Sequence, residues 1–130
     1  MQGLKVTLGL LCLALPLMTF AGDDPSIKGN LRSTIQGAMH QFIKTQSINN
    51  ELMLFDEKEG KVLRLSLDKL HDGIVKKSSF YVSCADFKDQ AGRKIDIDFL
   101  VRAKGDDMIA TQAIVHSVDG KKRKYHLESM

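Results

Sequence analysis

Four histidines, one mid-chain cysteine and a set of closely spaced aspartates are the residues of this chain that could do chemistry. Asp96 and Asp98 stand two apart in a segment of strict alternation, so both point to one face of a strand. Asp86 falls on the segment before it. Carboxylates grouped in this way can share acid–base work or hold a cation. They also occur as a solvated edge balanced by cations, here Lys94, Arg102 and Lys104. His116 and His126 lie on neighbouring segments, where they are either ordinary strand histidines or a facing pair. Asp86, Asp96, Asp98 and His116 therefore make up the candidate polar site. No H-E-x-x-H or C-x-x-C spacing accompanies them, so the sequence assigns no metal ligands, and no cofactor is expected. Ser78, Ser79 and Ser83 lack a G-x-S-x-G context, no Gly-rich phosphate loop follows a strand, and no catalytic residue is assigned.

The compartment is read from residues 1–21. A single charge, Lys5, precedes an apolar run from Val6 to Phe20, and Gly22-Asp23-Asp24 is abruptly polar. Small or β-branched residues, Thr19 and Ala21, occupy the positions a signal peptidase reads. This pattern predicts a secretory signal peptide over 1–21, of bacterial type, with cleavage after Ala21 and a periplasmic or secreted product. Pro16 and the short apolar core argue against a spanning helix. Cys12 follows Leu11 in mid-run, which argues against lipid attachment. Cleavage leaves residues 22–130 as a single domain with no transmembrane segment.

The whole chain carries a net charge of +3, and loss of Lys5 leaves about +2, too little to argue for nucleic acid. Tryptophan is absent and other aromatics are sparse, which disfavours a sugar-stacking platform. Cys84 would be the only cysteine of the exported domain. It can form no internal disulfide, so it is either a buried small hydrophobe or an exposed thiol that pairs two chains or reacts. Lys121–Lys124 is a basic cluster on a hairpin, suited to solubility or to an anionic surface.

The elements that must position these groups are one helix followed by strands. Asp24-Pro25 suits a helix start. Ile27, Leu31, Ile35, Ala38, Met39, Phe42 and Ile43 then recur at three- and four-residue steps as one apolar stripe, with His40 off it. Asn49-Asn50 ends the helix. From Glu51 the period changes to two, with turns at 57–60, 89–92, Gly105-Asp106 and Asp119-Gly120, and a break at His71-Asp72-Gly73. The fold class is α+β: an N-terminal amphipathic helix packed on a curved antiparallel β-meander of four to six strands.

Two-residue turns at Gly105-Asp106 and Asp119-Gly120 set Ile97 opposite Ile114, Val101 opposite Ala110 and Ile114 opposite Tyr125. Ile95, Ile97, Phe99, Val101, Ala110, Ile114, Tyr125 and Leu127 then line the core. A four-residue turn after Lys88 adds Cys84 and Val82 to that face; a three-residue turn shifts the pairing by one, turns Cys84 outward and brings Tyr81 and Phe87 in. The second face is mixed. Leu100, Ile109, Ala113 and Val115, with Tyr81 and Phe87, form a candidate interaction surface beside the aspartates.

One helix followed by an antiparallel meander resembles the cystatin-like and ketosteroid-isomerase-like cone folds. The segment nearest the cystatin Q-x-V-x-G hairpin is Gln112-Ala113-Ile114-Val115-His116, with Ile114 for the valine and His116 for the glycine, so protease inhibition is not carried over. The isomerase resemblance implies a buried Asp and Tyr, for which Asp86 and Tyr125 are the available residues. Two functions are expected from this reading. The first is an exported non-catalytic binding or protein-interaction module, with a homodimer, another protein or a small molecule as partner. The second is a small cone-fold enzyme or ligand carrier using an acidic residue in a pocket.

Overall fold

The computed structural model describes residues 23–130; the expected signal peptide at 1–21 lies outside the described residues. An α-helix, α1 (Gly29–Gln46), precedes seven strands: β1 (Ser47–Ile48), β2 (Glu51–Asp56), β3 (Lys61–Lys76), β4 (Tyr81–Lys88), β5 (Lys94–Lys104), β6 (Asp107–Val118) and β7 (Lys121–Lys122). A short 3-10 turn, Leu127–Ser129, follows. The strands form one sheet in chain order, each antiparallel to the next. The class is α+β, but with seven strands rather than four to six. The two-residue strands β1 and β7 are too short to show a period, and β3 runs on through His71-Asp72-Gly73, where the sequence suggests a break.

The helix begins later than Asp24-Pro25 suggests. Asp24 instead organises a turn: its carboxylate accepts hydrogen bonds from Ser26 N (2.9 Å) and Ser26 Oγ (2.7 Å), and the helix starts only at Gly29. The apolar stripe is realised from Leu31 on, with Ile35, Ala38 and Met39 buried, Leu31, Phe42 and Ile43 half-buried and His40 exposed, whereas Ile27 is buried but precedes the helix. Asn49 and Asn50 both take the left-handed conformation (φ 52° and 62°), which makes them the turn of a two-residue hairpin between β1 and β2.

Register is where the chain departs most from the sequence pattern. The connection from β4 to β5 has five residues, so Lys88 pairs with Lys94. Asp89 builds this loop, its carboxylate accepting from the backbone N of Ala91 (3.0 Å) and Arg93 (2.8 Å) and from Arg93 Nε (2.6 Å). Cys84 therefore pairs with Asp98 instead of Ile97, and Val82 with Leu100 instead of Phe99. Two β-bulges shift β6 against β5. Thr111 is extra between Ala110 and Gln112, and His116 is extra between Val115 and Ser117. Val101 still meets Ala110, but Ile114 now faces Asp98, and Ile97 meets Val115. The chain leaves the sheet after Lys122, so Tyr125 has no strand partner and is 78% exposed.

The main core holds Ile35, Met39, Leu52, Leu65, Phe87, Ile95, Ile97, Phe99, Val101 and Val115, among others. Phe42 meets Phe99 edge to face at 5.8 Å. The opposite face of the sheet has its own small cluster of Val82, Cys84 and Leu127, flanked by Val75, Phe80, Leu100 and Ile114. The apolar character of that face thus has an occupant: the segment that follows β7 folds back and inserts Leu127 (3% exposed).

Candidate metal centre

Direct cross-strand pairing puts Cys84 beside Asp98 and Asp86 beside Asp96, a square of four polar side chains on β4 and β5. A histidine reaches this square from each side, and both lie at irregularities in the ladder. His116 is the extra residue of a β6 bulge. His71 lies within the irregular stretch of β3 between Leu70 and Ile74. Bulges re-aim side chains that regular pairing would send elsewhere. The post-β7 segment closes the site from above with His126, Leu127 and Glu128.

Asp98, fully buried, is the hub. Its Oδ1 lies 3.0 Å from Cys84 Sγ and 2.8 Å from His116 Nδ1, and its Oδ2 accepts from Leu127 N at 3.0 Å. Burial alone would raise the Asp98 pKa, but the hydrogen bonds from His116 and Cys84 and the charge on His116 outweigh it and hold it below its ordinary value. The same hydrogen bond to Asp98 raises His116, against burial. Burial, and then the Asp98 charge, push the Cys84 thiol strongly upward. Cys84 Sγ also lies 3.5 Å from Glu128 Oε1. His126 stacks on His116 with ring centroids 4.2 Å apart, and burial and the charge on His116 push it below its ordinary value.

The other half of the square is less well satisfied. His71 Nε2 approaches Asp86 Oδ1 at 2.9 Å without the alignment of a hydrogen bond, and Lys94 Nζ lies 3.3 Å from Asp86 Oδ2. Asp96 Oδ1 is buried with no hydrogen-bond partner among the described residues and stands 4.0 Å from His71 Nδ1. Burial pushes Asp96 up to about 6; the neighbouring His71 and His116 oppose that shift, while Asp98 and Asp86 add to it.

Two groups of side chains bring metal-binding atoms within 4.8 Å of one another: Cys84, Asp98, His116 and Glu128; and His71, Cys84 and Asp96. Of the candidate polar residues, Asp98 and His116 belong to the first group and Asp96 to the second, while Asp86 is in neither and adjoins them through its pairing with Asp96. The sequence did not point to His71, Cys84 and Glu128 as their partners. The ligands come from separate segments, and two arrive through bulges, so no local spacing could reveal them.

The six hydrophobic residues of the candidate interaction surface do not share a face. Phe87 and Val115 are buried in the main core, and Tyr81 and Ala113 pack against it, because the β4–β5 loop and the Thr111 bulge change their side of the sheet. Leu100 flanks the second cluster. Ile109 lines a groove of about 320 Å³ between α1 and β6, together with Ala38, Phe42, Met108 and Thr111. Among the described residues, no ionisable side chain lines that groove. Tyr81 and the aspartates lie on opposite faces, and Tyr125 is exposed, so the Asp–Tyr pocket implied by the isomerase resemblance does not form among the described residues. Exposed apolar side chains lie instead on the β2–β3 hairpin, where Phe55 pairs with Val62 beside Met53. No helix among the described residues is long and apolar enough to cross a membrane. Comparison with protein-family models, curated proteins and solved structures finds no match for this chain.

Proposed function

We propose that this protein is an exported, non-catalytic binding module whose ligand is a borderline-soft divalent metal ion of the Zn2+ type. The observation that carries this reading is the convergence of Cys84, Asp98, His116 and Glu128, with ligand atoms within 4.8 Å of one another. A tetrahedral zinc ion with ligands at about 2.0–2.3 Å separates them by roughly 3.3–3.8 Å. The observed separations of 2.8, 3.0 and 3.5 Å need only small side-chain adjustments to reach that spacing. A thiolate with imidazole and carboxylate suits zinc better than magnesium or calcium, which prefer all-oxygen sites. Export is supported by the pattern of residues 1–21.

The chemistry favours holding an ion over catalysis. Four side chains supply a full tetrahedral set, as in closed structural sites. The Cys84 thiol is pushed upward and hydrogen-bonded to a carboxylate, the reverse of an activated nucleophile. Without metal, protons stand where the ion would sit: Cys84 S–H and His116 N–H both point at Asp98 Oδ1.

The ion must displace those protons, so affinity is tied to pH. Zn2+ titrations in competition with a chelator should show two protons released below the His116 pKa and one above it, with log affinity rising about two and then about one per pH unit. Cys84→Ser and His116→Ala should each weaken binding by about 100-fold or more. Zinc binding that is weaker than roughly micromolar in the unmodified protein, or is indifferent to these substitutions, would sink the proposal.

A further inference from the structure

The unsatisfied half of the polar square points to a second ion. We infer that His71, Asp96 and the shared Cys84 form a second, solvent-open cation position, so that the thiolate bridges two divalent ions. This inference rests on the metal-binding reading above and extends it from one ion to two.

Apart from the shared Cys84, the residues of this position lie outside the Asp98 group. His71 Nδ1 and Asp96 Oδ1 stand 4.0 Å apart, too far for a hydrogen bond yet close to the spacing of two ligands across one ion. Cys84 Sγ completes a set of three whose ligand atoms all lie within 4.8 Å. Asp96 Oδ1 is buried and has no hydrogen-bond partner among the described residues, a costly state that a cation would relieve. The far nitrogen of His71 lies 2.9 Å from Asp86 Oδ1, and the Asp86 side chain is nine-tenths buried. A carboxylate stands behind the imidazole, where one that orients a metal-binding histidine is found, but the two groups are not aligned as a hydrogen bond, so the ring must turn slightly to engage it. Lys94 Nζ at 3.3 Å from Asp86 Oδ2 keeps that carboxylate engaged from its other side.

The two positions differ in access. Asp98 is fully buried and its site lies under Leu127 and Glu128, whereas the His71 side chain is 33% exposed. The second position has three protein ligands and one place left for water or an incoming ligand. An ion there exchanges with solvent faster than the buried one.

Native mass spectrometry of the full chain loaded with Zn2+, and 113Cd NMR of the Cd2+ form, test this directly. Two ions per chain and two cadmium resonances are expected. His71→Ala should remove the second ion and keep the first with its pH dependence; Asp96→Asn should act in the same way. Cys84→Ser should disturb both resonances, because the sulfur is shared. One ion per chain, lost in His116→Ala and kept in His71→Ala, would overturn the second site while leaving the proposed function standing. No bound ion would overturn both. Two ions of which one is untouched by Cys84→Ser would overturn the bridge.

Discussion

Asp96 is the residue at which the cost of this arrangement is most visible. Its carboxylate is largely buried, has an unpartnered oxygen and lies beside two other aspartates, and its pKa is raised from 3.8 to about 6. A carboxylate whose folded-state pKa exceeds its unfolded value gives stability that is complete below the unfolded pKa and is lost as pH rises through the folded one. The metal-free protein therefore gives up this contribution between about pH 4 and pH 6 and lacks it at neutral pH. Asp96→Asn keeps the shape and removes the charge. In metal-free denaturant melts it should stabilise the fold by on the order of 1–3 kcal/mol near pH 8 and by almost nothing near pH 4. Equal effects at both pH values would show that Asp96 ionises freely. His126 runs the other way: held below its ordinary pKa, it opposes folding as pH falls. The Asp96 effect is thus read as the difference between variant and parent at each pH.

At the scale of elements, the helix was the most legible part of the sequence. A stripe at three- and four-residue steps admits one buried face, and Ile35, Ala38 and Met39 occupy it. Phe42→Ala should cost about 3 kcal/mol, since it removes a half-buried ring set against Phe99. His40→Ala, on the exposed face, should cost about 0.5 kcal/mol or less. Similar losses in the two melts would contradict the packing. The five longer strands were legible as strands, except for the far part of β3, but not in register. Alternation marks which residues share a face within a strand; it does not record an extra residue. Thr111 and His116 look like ordinary members of an alternating run, yet each bulge moves everything beyond it by one position. The Asp89 carboxylate likewise lengthens a turn that composition alone suggests is shorter. These three irregularities put Ile114 beside Asp98, send Cys84 to the second face and aim His116 into the acidic square. The aspartates were legible because β5 is regular where they lie. Their partners were not, because each reaches the site through an irregularity or from the segment after β7.

The whole molecule is tied together by what happens after β7. The basic cluster at Lys121–Lys124 is only partly a surface feature. Arg123 Nη2 lies 2.8 Å from Asp56 Oδ2, and both side chains are nearly buried, so the end of the sheet is clamped to the β2–β3 turn. Glu59 on that turn pairs with Arg93 of the β4–β5 loop at 2.6 Å, which links three connections at one end of the molecule. Beyond the clamp, the chain crosses the second face, and Leu127 N bonds Asp98 while the Leu127 side chain covers Cys84 and Val82. The closing segment therefore shares in the burial of the thiol with Val82 and the flanking Leu100 and Ile114 of the sheet. Leu127→Ala should remove about 2 kcal/mol of packing, so local opening, and with it reaction of Cys84 with a thiol reagent in the metal-free native protein, should become at least about tenfold faster. Deleting residues 126–130 should expose the thiol further while circular dichroism still reports the sheet. Zn2+ should slow labelling of the full chain and protect the Leu127→Ala variant less, because Glu128 is one of the four converging ligands and its position depends on the same closure. Unchanged labelling in both variants would mean that Cys84 is shielded by β4 and its neighbours alone, and that the closing segment neither covers the site nor helps to build it.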